Sequence, residues 1–149
     1  MVEVTRVETS VPDGALRNGA DVLLLVDFVL GDIADLRHRC REHALAAGLD
    51  RSSSMAFVLA INEVVNNAVE HGGGGGRLIL LHDRAGRMIA RIVDAGHAPV
   101  PTVPHHAPPP DAERGRGLWM SSQLVDQMAV APGEPHGTAV TITMIIRPA

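Results

Sequence analysis

Glu63, Asn67 and His71 stand four residues apart in one stretch, set among Val64, Ala68 and Val69. At helical spacing the three polar residues line one stripe while the apolar ones belong to the buried side. A carboxylate and a carboxamide one turn apart suit a nucleotide. The neutral oxygen of Asn67 can ligate Mg2+, and Glu63 can orient or deprotonate a hydroxyl. The same residues also fit a solvated helix face, where Glu and Asn need no explanation. Asp94 ends an apolar run and is followed by Ala95-Gly96, which presents an acceptor for the amino group of a base where the chain leaves a sheet. An ordinary Asp-x-Gly turn has the same form. Gly115-Arg116-Gly117 opens a third helical pattern, where bare backbone N–H groups and the helix dipole favour an anion such as phosphate. A hinge for the preceding loop would account for the same glycines.

These groups need elements to position them. Val22 to Leu30 reads as a buried strand, followed by Gly31-Asp32, with Asp32 as the N-cap of a first helix. Ile33, Leu36, Cys40, Ala44 and Ala47 recur at steps of three and four, and Gly48 supplies the stop. After Asp50 and the cap candidates Ser52 to Ser54, a second amphipathic helix carries Phe57, Ala60, Ile61, Val64, Ala68 and Val69 up to the run Gly72 to Gly76. That run lacks the Lys-Ser or Lys-Thr of a phosphate loop and reads as a plain flexible connector. Leu78 to Asp83 and Met88 to Asp94 form a hairpin around Arg84-Ala85-Gly86-Arg87. Residues 95–114 hold most of the prolines and almost no apolar period, so they predict a long functional loop. The third helix turns Leu118, Met120, Leu124 and Val125 toward the core, and Trp119 in the same pattern reads as core. Met128 to Ala131 and Thr138 to Ile146 close the chain as strands. Paired strands beside helices, without strict β-α-β alternation, predict an α+β fold: a two-layer sandwich of a mixed, mostly antiparallel sheet with helices on one face.

Bulk properties narrow the function. The 149 residues suit a single domain, 1–149, with residues 1–20 as an N-terminal extension or edge strand. A net charge of −4 provides no global field for nucleic acid, so direct nucleic-acid binding is not expected. One cysteine, Cys40, cannot form an intramolecular disulfide and fits a reducing cytoplasm. The longest apolar run is too short to span a bilayer and is broken by Asp27, so no membrane role is expected. His105 and His106 are adjacent in a polar loop far from the cysteine, which is not the spacing of a zinc site.

Taken together and in this order, Glu63, Asn67, Asp94, Gly96, Gly115 and Gly117 resemble the ATP-binding family of gyrase, histidine kinases and MutL, the GHKL type. Within it, Asn62-Glu63-Val64-Val65-Asn66-Asn67-Ala68-Val69-Glu70-His71-Gly72 is similar to the N box of the anti-sigma-factor serine kinases of the RsbW type, and Gly115-Arg116-Gly117-Leu118-Trp119 resembles the glycine box that follows it. The resemblance covers nearly everything from Val22 to Ile146 and implies a fold, a ligand and roles. ATP and Mg2+ would be the cofactors, with Asn67 on the metal and Glu63 as general base toward a serine hydroxyl. Asp94 would take the adenine amino group, and Gly96 would let the base approach the backbone. Gly115 and Gly117 would cradle phosphate, Thr138 would support the adenine through water, and residues 95–114 would be the ATP lid. Arg114 and Arg116 flank that lid as phosphate partners or as solvated side chains.

The resemblance implies a serine kinase acting on an anti-sigma-factor antagonist protein and able to sequester a sigma factor, with a homodimer compatible with family habit. Two departures define a rival. Ala98 replaces the usual glycine after Asp94, and Pro99, Pro101, Pro104 and Pro108 to Pro110 stiffen the lid. The rival is a non-catalytic, nucleotide-dependent protein-binding module with a degenerate lid. A stand-alone histidine-kinase catalytic domain ranks third, because no phosphoacceptor helix precedes Val22.

Overall fold

The computed structural model describes residues 3–5, 19–112 and 115–148. Its strands are β1 (Glu3–Thr5), β2 (Asp21–Val29), β3 (Gly75–His82), β4 (Arg87–Val93), β5 (Gln127–Pro132) and β6 (Thr138–Ile145). Its helices are α1 (Ile33–Ala47), α2 (Arg51–His71) and α3 (Arg116–Leu124). The strands form one sheet in the order β1-β2-β3-β4-β6-β5, parallel only between β1 and β2 and antiparallel elsewhere. This is the expected α+β sandwich.

Period-two alternation decides which strand residues meet the helices. Leu24, Val26 and Phe28 of β2, Leu78 and Leu80 of β3, Met88, Ala90 and Ile92 of β4, and Val140, Ile142 and Met144 of β6 all enter one core cluster. From the helix layer α1 contributes Leu36, Cys40 and Ala44, and α2 contributes Phe57, Ala60, Ile61, Val64, Val65 and Ala68. The core is therefore aliphatic around one fully buried ring, Phe57. On the opposite sheet face, Leu25, Ile79 and Leu81 make a smaller buried cluster. Arg77 there grips Asp27, its cross-strand partner, through two hydrogen bonds of 2.7 and 3.1 Å.

The helix ends follow the sequence signals with one change. Asp50 caps α2, its carboxylate accepting from Ser53 N at 2.7 Å. Asp32 precedes α1 as expected, but its carboxylate turns back to accept from Val29 N at 2.9 Å, closing the short 3-10 turn Leu30–Asp32 rather than capping the helix.

Two expectations are corrected. The glycine run is no flexible connector. Gly75 and Gly76 begin β3, paired with Val29 and Phe28, and a Cβ at either would collide with the backbone of Phe28 or Val93. Glycine is used there because neighbouring strands approach too closely for a side chain. In α3, Leu118 is buried and Val125 packs against the core, but Met120 and Leu124 are exposed. The buried residues of α3 are Leu118 and Ser121, three apart on one stripe, Met120 and Leu124 lie on a different one, and Val125 packs as the extended residue just after the helix. Trp119 is only half-buried.

Candidate nucleotide site

One cavity of about 200 Å³ opens between α2, the ends of β4 and β6, the start of α3 and the loop 95–112. Glu63, Asn67, Asp94, Gly115 and Thr138 all line it. Its floor is apolar, with Val64, Ala68, Ile92, Leu118 and Val140 from the core. A flat apolar floor with polar groups converging at its rim is the ordinary make-up of a small-molecule site.

α2 supplies the first wall because its buried stripe fixes its rotation. With Phe57, Ile61, Val64, Val65 and Ala68 committed to the core, Glu63, Asn67 and His71 fall at the border between helix and cavity. Glu70, which the four-residue spacing passes over, joins them. Burial pushes the Glu63 carboxyl above its ordinary range, and the charge of Glu70 adds to the shift. A base of raised pKa is a better proton acceptor near neutrality than an ordinary glutamate.

β4 delivers Asp94 to the far end of the cavity. Its Oδ1 accepts from Gly96 N at 3.0 Å and from Thr138 N at 3.2 Å, while its own N–H donates to Thr138 O at 3.0 Å. The carboxylate is thus held by the backbone of two segments through one oxygen. Thr138 enters the site through the same contacts, at the first residue of β6. Behind Asp94, Gly72 and Gly96 touch, and a Cβ on either would overlap the other segment or the Asp94 carboxyl group.

The third side is the start of α3. Gly115 is its N-cap at φ 90, a left-handed conformation that a glycine adopts without strain. Gly117 and Gly96 do not line the cavity itself. Gly117 lies directly against the Glu63 carboxyl group, where any Cβ would overlap it, so this glycine sets the distance between α3 and the general-base candidate. Arg116 is exposed and reaches Pro110 O at 3.5 Å, and Arg114 lies outside the described residues.

The loop closes the site from above. Ala98, Pro99 and Pro101 line the cavity, and Pro104 and Pro108 pack over Gly115, both within van der Waals reach of a Cβ placed there. The volume left is smaller than the roughly 300–1,000 Å³ typical of small-molecule sites. At the loop's root the rings of His97 and His136 stack with centroids 4.2 Å apart, and His136 Nδ1 stands 3.4 Å from Gly96 O. A contact between residues so far apart in sequence leaves no local signal.

The profile of the histidine kinase-like ATPase domain matches residues 29–144, more than half of the chain. The chain belongs to that family. Membership implies ATP binding. Among solved structures, the RsbU and RsbW domains of Rv1364c from Mycobacterium tuberculosis match with a TM-score of 0.62 and 26% identity, over 84% of this chain and 33% of that one. The chain therefore spans about a third of the length of that structure. No curated protein matches the chain. Among the described residues no helix is long and apolar enough to cross a membrane.

Proposed function

We propose that the whole chain, 1–149, is one ATP-binding kinase-like domain that phosphorylates a serine on an anti-sigma-factor antagonist protein and sequesters a sigma factor, with residues 95–114 as its ATP lid. The observation that carries the reading is the convergence of Glu63, Asn67, Asp94, Gly115 and Thr138 on one cavity. The N-box resemblance and the likeness to a structure containing an RsbW domain point to the same class.

In this reading Asp94 Oδ2 accepts from the adenine amino group while Oδ1 stays engaged with the backbone. Thr138 sits beside it to hold a water against the ring. Gly115, with Gly117 two residues on, leaves the first amides of α3 open to phosphate. Mg2+ would be held by the Asn67 amide oxygen together with phosphate and water oxygens, supplying positive charge against the phosphates. That donor set suits a cation that keeps several waters and takes few protein ligands, and among the described residues no three of His, Cys, Asp and Glu stand together to hold a metal by themselves. Glu63 takes the proton of the serine hydroxyl as its oxygen bonds to the γ-phosphorus. The bond from that phosphorus to the bridging oxygen breaks, and ADP leaves with its electron pair.

A second reading is favoured by the lid. Ala98, Pro99 and Pro101 line the cavity and narrow it from the lid side, which suits a nucleotide-dependent binding module without phosphoryl transfer. Calorimetric titration with ATP, with and without Mg2+, tests the pocket: Mg2+-dependent binding by the wild type, removed by Asp94→Asn, is expected. Absence of binding up to millimolar ATP would overturn both readings. Binding without any transfer to a serine of the antagonist would leave the second.

A further inference from the structure

Four large apolar side chains that the fold leaves exposed stand in two rows, and both rows begin at one contact. Gly117 of α3 lies against the Glu63 carboxyl group. Counting back along α2 from Glu63 in steps of four gives Leu59 and Met55, 52% and 65% exposed. Counting forward along α3 from Gly117, by three and then by four, gives Met120 and Leu124, 53% and 42% exposed. Such steps keep residues on one side of a helix, so each row leaves the Glu63–Gly117 contact along the side its first residue occupies.

Contacts at the far end keep the two rows together. β6 starts at the cavity with Thr138, and its other end meets both helices. Gly48, just before α2, stands beside Ile146, whose Cγ2 would be 3.3 Å from a Cβ there. Asp126, just after α3, accepts from Ile145 N at 2.7 Å. α2 and α3 therefore span the same distance in opposite directions, and their exposed rows flank one strip. None of the four side chains lines the cavity. The strip is also uncharged, because residues 52–62 and 117–125 contain no Asp, Glu, Lys or Arg. Apolar surface of this kind marks a place where a partner sits, and methionine adapts to the shape it meets.

We propose that this strip between α2 and α3 seats an apolar helix face of the partner protein whose serine Glu63 would deprotonate. The proposal rests on the reading of Glu63 as a base toward a protein serine. Where the strip leads is what selects this occupant. A hydroxyl that reaches Glu63 from solvent brings its own chain with it. The α2 surface one and two turns from Glu63, about 6 and 12 Å away at 1.5 Å per residue, is Leu59 and Met55. An anionic ligand would find no cation along the strip, since Arg51 and Arg116 stand only at the ends of the uncharged runs. Two rows of apolar side chains on neighbouring helices instead fit one amphipathic helix, which reads such a groove through anchors a turn apart. The strip then supplies affinity for the protein substrate, and the cavity supplies the nucleotide.

The probe is a synthetic amphipathic peptide of about 18 residues, five helical turns, with one serine near an end and leucines one, two and three turns from it on one face. Its comparator carries glutamine at the leucine positions. Trp119, the one tryptophan of the chain and the neighbour of Met120, reports binding by its fluorescence when the full chain is titrated with ATP and Mg2+ present. The leucine peptide is expected to bind at least about ten-fold tighter than its comparator. Leu59→Gln and Met120→Gln are each expected to weaken it at least about five-fold with the melting temperature unchanged, and Met55→Gln repeats the test should Leu59→Gln lower that temperature. Leu45→Gln, at an exposed leucine of α1 outside the strip, should bind as the wild type does. Equal affinity for the two peptides, or strip variants that bind like the wild type, would overturn the proposal. So would a dimer of the wild type in sedimentation that Leu59→Gln abolishes, because the occupant would then be a second copy. Transfer of labelled phosphate is read apart from binding. Tight, strip-dependent binding with no label on the serine keeps the docking strip and overturns Glu63 as the base, whereas equal binding and equal labelling of both peptides overturns the strip and spares the base.

Discussion

On one side of the cavity stands a 21-residue helix that commits Phe57, Ala60, Ile61, Val64, Val65 and Ala68 to the core, with Val64 and Ala68 also forming the cavity floor. On the other lies the segment 95–112, with no helix or strand, touching the site through Ala98, Pro99 and Pro101 and covering Gly115 with Pro104 and Pro108. The helix cannot rotate without exposing core residues, so Glu63 and Asn67 are fixed as firmly as the core itself. The segment is held by proline stiffness, ring contacts and a few hydrogen bonds at Gly96, Pro109 and Pro110. In the proposed reading, the groups that would hold angles for chemistry sit on the first wall, and those that would yield to admit a ligand sit on the second.

Substitutions can sharpen or break that contrast. Glu63→Gln should lower phosphoryl transfer by about 10²–10⁴ while ATP affinity, read by titration, holds. An equal loss of affinity would mean that Glu63 serves binding rather than proton removal. Next in size, Phe57→Ala should cost about 3–5 kcal/mol of stability in a denaturant titration because it empties the core behind the α2 wall. Pro104→Ala in the opposite wall should stay within about 0.5 kcal/mol, and a large cost there would show that the lid is part of the folding unit. Gly96→Ala forces a methyl against Gly72 and should cost about 1–3 kcal/mol, as overpacking does.

The smallest effect is a displaced pH profile. Burial raises the Glu63 pKa in the folded chain, so below that raised value the base is protonated and transfer stops. The acidic limb of the rate profile should lie above the ordinary glutamate range and vanish in Glu63→Gln. The same shift acts on stability with the opposite sense. The folded chain holds this proton more tightly than the unfolded one, a contribution complete below the unfolded pKa and lost as pH rises through the folded one.

The sequence was most legible where local periodicity and tertiary burial agree. The spacing of Glu63, Asn67 and His71 against Val64 and Ala68 placed a polar stripe at the edge of the core, and the structure puts it on the cavity. The prolines and missing period of 95–114 marked a loop, and the described part of it, 95–112, is one. Legibility fails where a residue's surroundings come from distant segments. Five consecutive glycines look like a linker until Phe28 and Val93 are seen to crowd Gly75 and Gly76. Met120 and Leu124 match a helical period, but α3 is short and contacts chiefly α2, so only its Leu118 and Ser121 stripe is covered. The His97–His136 stack and the Asp27–Arg77 pair depend on sheet registration, which no window of neighbouring residues contains.

The single-oxygen anchorage of Asp94 has a consequence for base selectivity. Gly96 N and Thr138 N both donate to Oδ1, so an asparagine at 94 has only one comfortable orientation, with its carbonyl oxygen toward those two amides. Its NH2 group must then point to where Oδ2 had been. The substitution thus exchanges an acceptor for a donor at fixed geometry, repelling the amino group of adenine and offering a bond to a ring carbonyl such as that of guanine or hypoxanthine. In the proposed reading, with the acceptor at that end fixed by the backbone, one carboxylate oxygen would set which purines the pocket takes.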